Sequence, residues 1–124
     1  MFALKVMSKA KVREAEMEEQ VFWEIKLQMF MSHPNVLRLY HFFHDQKNIY
    51  LVLEYCSQCL FRELRTRGKY NEEDAAYYGK QVVSALKYMH NESIIHRDIK
   101  PENIMLQWGV AKLSDFGWST YAPL

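Results

Sequence analysis

The sequence lacks the features that mark several protein classes. Its 124 residues carry a formal net charge of +1, which gives no overall field to attract nucleic acid or an anionic membrane. No apolar run approaches the roughly 20 residues that a membrane-spanning helix needs. The start, MFALKVM, shows no basic region followed by a small-residue cleavage site. We therefore expect no direct nucleic-acid partner, no membrane partner and no secretory signal.

Cysteine is also scarce, with only Cys56 and Cys59 in YCSQCL. A Cys-x-x-Cys pair can be half of a zinc site or a redox motif. A zinc ribbon needs a second Cys/His pair at a set spacing, and a redox motif needs a strand-to-helix setting; the sequence shows neither. We expect two free thiols in a reduced compartment.

The composition, 49% hydrophobic and 25% charged, is typical of a globular chain of one domain at most. In the first half, FALKVM predicts a strand over 2–7, and the pattern is helical from about Ala10 to Met31. VLRLYHFF and IYLVLEYC are β-rich runs that flank the polar loop HDQKN and predict a hairpin.

The second half predicts two helices and another hairpin. LFRELRTRG is a short helix ended by Gly68, and Asn71 caps a longer helix with an acidic first turn. Because glycine costs a helix roughly 1 kcal/mol against alanine, we expect close packing at Gly79. NIMLQ and VAKLS predict a hairpin around WG, and DFGWSTYAPL shows no regular pattern. The longer helix should bury Ala75, Gly79, Val82, Leu86 and Met89.

A carboxylate falls on the apolar face of the first helix. Glu24 lies within a stripe that repeats every four residues: Met17, Val21, Ile25 and Met29. An unpaired buried charge is costly, so Glu24 needs a partner, and Lys5 on the preceding strand is the candidate. The alternative is a glutamate at the edge of the stripe that reaches water.

The stretch IIHRDIKPENIML, residues 94–106, concentrates polar groups between apolar ends. Asp98 lies in its middle, and the following hairpin could return Asp115 to the same place. Two carboxylates with an asparagine offer the oxygen ligands that Mg²⁺ prefers. Lys100 is placed to touch a transferring anion, and Asp98 could accept a proton from a hydroxyl.

These motifs resemble those of eukaryotic protein kinases. FALK resembles the Val-Ala-Ile-Lys strand, HRDIKPEN the catalytic loop and DFG the metal-binding motif. The resemblance implies an α+β, two-lobe kinase fold in truncated form. Residues 1–53 would be part of the small lobe, 54–59 the hinge and 60–124 the start of the large lobe.

The resemblance also implies catalytic roles. Lys5 would hold the α- and β-phosphates of ATP with Glu24 as its helix partner. Asp98 would be the base, and Lys100 would stabilise charge on the transferred group.

The nucleotide site follows in the same way. Asn103 and Asp115 would hold Mg²⁺, and the backbone of Glu102 would line the ribose. LVLEYC resembles the strand that leads into the hinge, with Leu53 as gatekeeper. The adenine would then meet the backbone of Glu54, Tyr55 and Cys56.

Within the kinases, four phrases together resemble the Aurora family: DFGWS, HPNVLRLYHFFHD, YLVLEY and HRDIKPEN. Lys100 after HRD resembles serine/threonine rather than tyrosine kinases. The resemblance implies transfer of the ATP γ-phosphate to Ser or Thr of protein substrates, with an activating or targeting protein partner. It also implies mitotic cell-cycle control inside the cell, in the nucleus and cytoplasm, at spindles, centrosomes and chromosomes.

Some family features do not occur in this sequence. No Gly-x-Gly-x-x-Gly loop precedes Lys5, and no Ala-Pro-Glu motif follows Asp115. We therefore expect the Lys5 strand to be an exposed edge, the stripe on 72–90 to face water, and the chain alone to show no measurable activity. The hinge is one residue shorter, with Cys59 near a usual glycine, which alters side-chain but not backbone contacts to adenine. The alternative function is a non-catalytic remnant that binds a nucleotide or a partner.

Overall fold

The structure, a computed structural model, describes residues 1–115 and 120–121. Three antiparallel strands form the first sheet in the order β1-β3-β2: β1 (Phe2–Ser8), β2 (Leu39–His44) and β3 (Asn48–Glu54). The strand predicted over 2–7 and the hairpin around HDQKN are therefore confirmed. Among the described residues β1 pairs only with β3, so the expectation of an exposed edge is also confirmed.

The single helix predicted from Ala10 to Met31 is wrong, because the segment forms two helices, α1 (Lys9–Glu14) and α2 (Glu18–Phe30). The Ser8 hydroxyl caps α1 by accepting the Lys11 N–H at 3.3 Å. Between the helices Glu16 has a φ of 54°, a left-handed conformation that ends the first helix. Neither proline nor glycine marks this break in the sequence.

The break also narrows the predicted apolar stripe. Val21 and Ile25 are buried, but Met17 is 39% and Met29 36% exposed, so those two predictions are wrong. The buried face of α2 consists of Val21, Ile25, Leu27 and Gln28. Val21 and Ile25 form a cluster with Leu37, Leu39, Leu51 and Leu53 of the first half, whereas Leu27 belongs to the core of the second half.

The second half contains α3 (Leu60–Arg67), α4 (Glu72–Asn91) and a sheet in the order β4-β6-β7. Its strands are β4 (Gln58–Cys59), β6 (Ile104–Gln107) and β7 (Val110–Leu113). The short strand β5 (Ile94–Ile95) pairs with β8 (Thr120–Tyr121), so the expectation of no regular pattern is wrong at 120–121. The rest of that expectation, at 116–119 and 122–124, lies outside the described residues.

The sequence signals for the end of α3 and for the start of α4 are confirmed. Gly68 ends α3 with a φ of 87°, and the Asn71 side chain caps α4 by accepting the Asp74 N–H at 2.8 Å. The predicted close packing at Gly79 is wrong, since no described atom lies within 4 Å of a Cβ built there. The stripe on α4 is buried only toward its C-terminal end, at Ala85 and Met89. Ala75 and Gly79 are exposed, which corrects their predicted burial and confirms the expected exposure of the stripe at that end of α4, while Val82 and Leu86 are half-buried.

The hairpin around WG is confirmed. Trp108 and Gly109 have φ values of 53° and 76°, the two left-handed residues that a type I′ turn requires. The turn matches the twist of the strands, and it returns the chain from β6 to β7 so that Ser114 and Asp115 come back beside the loop that contains Asp98.

The segment of residues 32–38, named here the anchor segment, joins the two halves. The Leu37 N–H donates to the Leu113 carbonyl at 2.8 Å, and the Leu113 N–H donates to the Asn35 carbonyl at 2.9 Å. The Asn35 amide donates to Gln81 Oε1 at 3.0 Å and to the Ala111 carbonyl at 2.9 Å. Buried Val36 completes the contact inside the second core. The anchor segment therefore fixes the end of α2 against both α4 and β7.

His33 in the anchor segment is held as a neutral imidazole. Its Nδ1 accepts the Asn35 N–H at 3.0 Å, so Nε2 carries the hydrogen and donates to Ser84 Oγ at 3.2 Å. The ring stacks on Tyr88 at 5.1 Å between centroids. Burial, and then the charge of Lys112, lower the pKa of His33 below 6.5.

This environment predicts a pH dependence of stability. Because the unfolded chain binds a proton at His33 more readily than the folded chain, the free energy of unfolding should fall as the pH drops below 6.5. His33→Asn keeps an acceptor for the Asn35 N–H and removes the titration, so the dependence should weaken. Urea unfolding between about pH 5 and 8 measures it. His90→Asn, at an exposed histidine of α4, is the control, and identical pH curves for both variants would contradict the assignment.

Candidate active site

A cleft of about 320 Å³ lies between the two halves of the chain. It is lined by eight residues with a predicted site role: Lys5, Glu24, Leu53, Glu54, Cys56, Glu102, Asn103 and Asp115. Tyr55, Asp98 and Lys100 were also predicted but do not line it. The fold thus gathers predicted residues from β1, α2, the end of β3 and the segments around β6 and β7.

Lys5 and Glu24 form an ion pair across this cleft, with Lys5 Nζ 3.8 Å from Glu24 Oε1. The Glu24 side chain is 12% exposed, whereas that of Lys5 is 47% exposed. The prediction that Lys5 is the partner of Glu24 is therefore confirmed, and Glu24 does not reach open solvent.

The Glu24 carboxylate is held in an unfavourable environment for its charge. Burial raises its pKa above 4.5, the nearby Lys5 lowers it, and the charge of Asp115 raises it again. Glu24 and Asp115 both line the cleft, and their like charges repel, so a cation bound in the cleft would relieve this repulsion.

Neutralising Glu24 should separate stability from ligand binding. Because the raised pKa means that ionised Glu24 opposes folding, Glu24→Gln should raise the melting temperature at neutral pH. The difference should shrink as the pH falls and the wild-type carboxyl protonates. The same change should weaken Mg-ATP binding roughly tenfold through loss of the Lys5 partner.

Thermal unfolding and calorimetric titration measure these two effects. Glu19→Gln, at an exposed position in the first turn of the same helix, is the matched control: it should leave Mg-ATP binding unchanged and should not raise the melting temperature, because the helix dipole favours a carboxylate there. A Glu24→Gln variant that melts lower than wild type at neutral pH would contradict the assigned cost of the charge.

The loop before β6 is ordered around buried His96, which is 2% exposed. Its Nε2 lies 2.9 Å from the Ser114 carbonyl, so that nitrogen carries the hydrogen and donates. The other nitrogen, Nδ1, accepts the Asp98 N–H at 3.1 Å. The His96 imidazole thus ties the backbone at Asp98 to the residue that precedes Asp115.

Asn103 makes the second link between the two carboxylates. Its side-chain amide donates to Asp98 Oδ2 at 3.0 Å and to the Asp98 carbonyl at 2.9 Å. Its carbonyl accepts the Ser114 N–H at 2.8 Å. Lys100 Nζ lies 3.7 Å from the other Asp98 oxygen, Oδ1. The hairpin therefore returns Asp115 beside the loop of Asp98, as expected.

The residues that follow the gatekeeper position border the cleft on its other side. Leu53 is 9% exposed, and Glu54 and Cys56 line the cleft. Tyr55 is 36% exposed and does not line the cleft, which is compatible with a contact through its backbone. Burial, reinforced by the charge of Glu54, raises the pKa of the Cys56 thiol to about 11.

The cysteines themselves are free, as expected for thiols in a reduced state. In the described part of the chain, no group of three or more His, Cys, Asp or Glu side chains is placed to hold a metal. Asn103 and Asp115 are a smaller donor set of amide and carboxylate oxygens. That set fits Mg²⁺, which takes one or two protein ligands and completes its shell with phosphate oxygens and water.

The comparison with known families agrees with this geometry. The protein kinase domain model matches residues 1–123. The chain belongs to the protein kinase family. The expected α+β kinase fold is thereby confirmed.

Aurora kinases are among the similar relatives of this kinase chain, which confirms the sequence resemblance. Over 123 residues it is 43% identical to Aurora kinase B of Xenopus tropicalis, 46% to Aurora kinase A-A of Xenopus laevis and 48% to the Aurora kinase of Schizosaccharomyces pombe. Each match covers 98% of this chain but 34%, 30% and 35% of the respective relative. The chain thus spans about a third of the length of these proteins. Among the described residues, no helix is both long and apolar enough to cross a membrane.

Sequence reasoning missed three residues that shape the site of this kinase chain. Gln28 is 4% exposed, lines the cleft and donates to the Leu37 carbonyl at 3.1 Å. His96 and Ser114 lock the loop as described above. A polar residue inside an apolar pattern was the available signal for Gln28 and for His96 after two isoleucines. Ser114 carried no such signal.

Proposed function

We propose that this chain is the nucleotide-binding and catalytic-loop part of a serine/threonine protein kinase of Aurora type. Its reaction would transfer the γ-phosphoryl group of ATP to Ser or Thr hydroxyls of protein substrates. The observation that carries the proposal is the cleft itself, which the Lys5–Glu24 pair lines together with Asn103 and Asp115, and Asn103 in turn hydrogen-bonds Asp98. The lobe limits 1–53, 54–59 and 60–124 belong to the same proposal.

Binding of the nucleotide would use both sides of the cleft. Lys5 would contact the α- and β-phosphates while Glu24 fixes its position. The backbone of 54–56 would hydrogen-bond the adenine, and Glu102 would border the ribose. Asn103 Oδ1 and the Asp115 carboxylate would hold Mg²⁺, which supplies neutralisation of phosphate charge.

The chemical step would centre on Asp98. Its carboxylate accepts the proton of the substrate hydroxyl as that oxygen bonds to the γ-phosphorus and the bond to the ADP oxygen breaks. Asn103 holds Oδ2 of this carboxylate in place, and Lys100 lies near Oδ1, where its charge can reach the transferred group. Most of the rate enhancement would come from this positioning and charge.

The resemblance to Aurora kinases alone supports the finer parts of the proposal. These are an activating or targeting protein partner, a role in mitosis, and an intracellular location at spindles, centrosomes and chromosomes. They are proposals about the whole protein, of which this chain is the part described.

Binding of Mg-ATP tests the proposal directly. A ligand that binds only the folded state raises stability by RT ln(1 + [L]/Kd), about 2.7 kcal/mol at a hundredfold excess over Kd. The wild-type chain should show this shift, and Lys5→Met and Asp115→Asn should lose most of it. Lys11→Met, at an exposed lysine of α1, should retain it. If the folded wild-type chain shows no stabilisation by Mg-ATP, nucleotide binding is rejected. If the protein expressed from its gene binds Mg-ATP but transfers no phosphate, the non-catalytic alternative is favoured.

A further inference from the structure

We propose that Lys112 is a positioning residue that fixes the adenine-facing end of β3 relative to the strand that leads to Asp115. The proposal deepens the proposed function and rests on it, since it concerns how the two sides of the nucleotide cleft are held in register. The observation behind it is an ion pair that joins the two halves of the chain beside the cleft.

Lys112 lies in β7 and makes two contacts to the first half. Its Nζ lies 2.6 Å from Glu54 Oε2 and donates to the Pro34 carbonyl at 2.9 Å. Glu54 is the last residue of β3, and Pro34 belongs to the anchor segment. One side chain therefore connects three elements that are distant in sequence.

Glu54 is held from the opposite side as well. Its Oε1 accepts the Arg38 N–H at 3.1 Å, and its own N–H donates to the Arg38 carbonyl at 2.9 Å. The Arg38 guanidinium in turn donates to the Met31 carbonyl at 3.1 Å. Because both Glu54 oxygens are used, the carboxylate has a single arrangement, with Lys112 on one oxygen.

The lysine of this pair is more enclosed than the cations of the Lys5–Glu24, Lys100–Asp98 and Arg67–Asp74 pairs. The side chains of Lys112 and Glu54 are 12% and 24% exposed, whereas Lys5, Lys100 and Arg67 are each close to half exposed in their pairs. Loss of one partner from an enclosed pair leaves an uncompensated charge, which costs far more than in an exposed pair. The pair therefore resists separation of the two halves.

The position of the pair connects it to the cleft. Glu54 lines the cleft at its adenine side, and the strand that contains Lys112 continues through Leu113 and Ser114 to Asp115 at its phosphate side. A ligand that reaches both sides depends on their separation, whereas a ligand that reaches one side does not. Mg-ATP is of the first kind and adenosine of the second.

Binding of these two ligands to Lys112→Met tests the role. The Kd of Mg-ATP should rise about tenfold, equal to 1.4 kcal/mol, while the Kd of adenosine changes less than twofold. Lys87→Met, the same change at an exposed lysine of α4, should alter neither. Lys112→Met/Glu54→Gln should bind Mg-ATP no more weakly than Lys112→Met alone, because the two side chains act as one pair.

The outcomes separate the positioning role from a structural one. The proposal would be overturned if the Kd of Mg-ATP and the Kd of adenosine rose by the same factor, or if the Kd of Mg-ATP did not change. If the wild type bound neither ligand, the proposed function would fail, and with it the nucleotide part of this role. Hydrogen exchange then tests whether Lys112 connects β3 to β7. In Lys112→Met, faster exchange of the Glu54 and Leu113 amides, relative to the Ala85 amide in α4, supports the connection. Unchanged exchange at these two amides rejects it. If Lys112→Met does not fold, Lys112→Gln replaces it, because glutamine keeps a donor for the Pro34 carbonyl but carries no charge to pair with Glu54.

Discussion

Asp98→Asn lowers phosphotransfer by about 10² to 10⁴-fold, the usual contribution of a general base. The Asp98 side chain is 23% exposed and already accepts the Asn103 amide hydrogen, so an asparagine fits the same space. Its amide cannot take up the hydroxyl proton, however, and it lacks the charge that lies 3.7 Å from Lys100. The loss should therefore appear in kcat, with Mg-ATP binding within about twofold of wild type.

The measurement uses the protein expressed from its own gene with an epitope tag, so that the whole product is tested. Labelled phosphate is followed from ATP to a Ser/Thr peptide substrate. Asp74→Asn is the matched control, because its carboxylate lies in an exposed pair with Arg67 at the start of α4. Activity of Asp98→Asn within about tenfold of wild type would remove Asp98 from the role of base.

Leu51→Ala destabilises the chain by about 2 to 5 kcal/mol, through lost apolar burial and the cavity left behind. Leu51 is 1% exposed, lies in the central strand of the first sheet and is paired across the sheet with Lys5. Since small domains have a total stability of about 5 to 15 kcal/mol, this one change removes a large share. It should also loosen the cleft, which Leu51 and Lys5 both line.

Urea unfolding followed by circular dichroism measures this loss. Leu4→Ala removes the same atoms from the neighbouring position of β1, where the side chain is 57% exposed, and should cost no more than about 0.5 kcal/mol. Equal losses for Leu51→Ala and Leu4→Ala would show that burial in this sheet does not determine the stability of the chain.

Sequence patterns predicted those parts of the site that depend on local order. The period of α2 placed Glu24 near an apolar face, and the spacing within 94–106 placed Asp98 and Asn103 on one loop, where they share a hydrogen bond. The prediction that Gly68 ends a helix and that Gly109 lies in a hairpin turn is confirmed, because both positions have a positive φ, which glycine adopts readily.

Contacts between segments distant in sequence were not predictable in the same way. The break at Glu16, where φ is 54°, is marked by neither proline nor glycine in the sequence. The cost of glycine in a helix suggested a neighbour at Gly79, but an exposed helix tolerates that cost without one. The partners of Lys112 depend on where the anchor segment meets β7, which no local propensity determines.

The contact between the anchor segment and β7 has a consequence for the order in which the chain folds. Lys112 and Pro34 are 78 positions apart, and Asn35 and Ala111 are 76 apart. Closing such long loops costs chain entropy before any contact compensates for it, which slows folding. During synthesis, residues 1–54 can pair their strands early, but the connection after α2 stays without its partners until β7 has left the ribosome. The first half therefore reaches its final form only after most of the second half has been made.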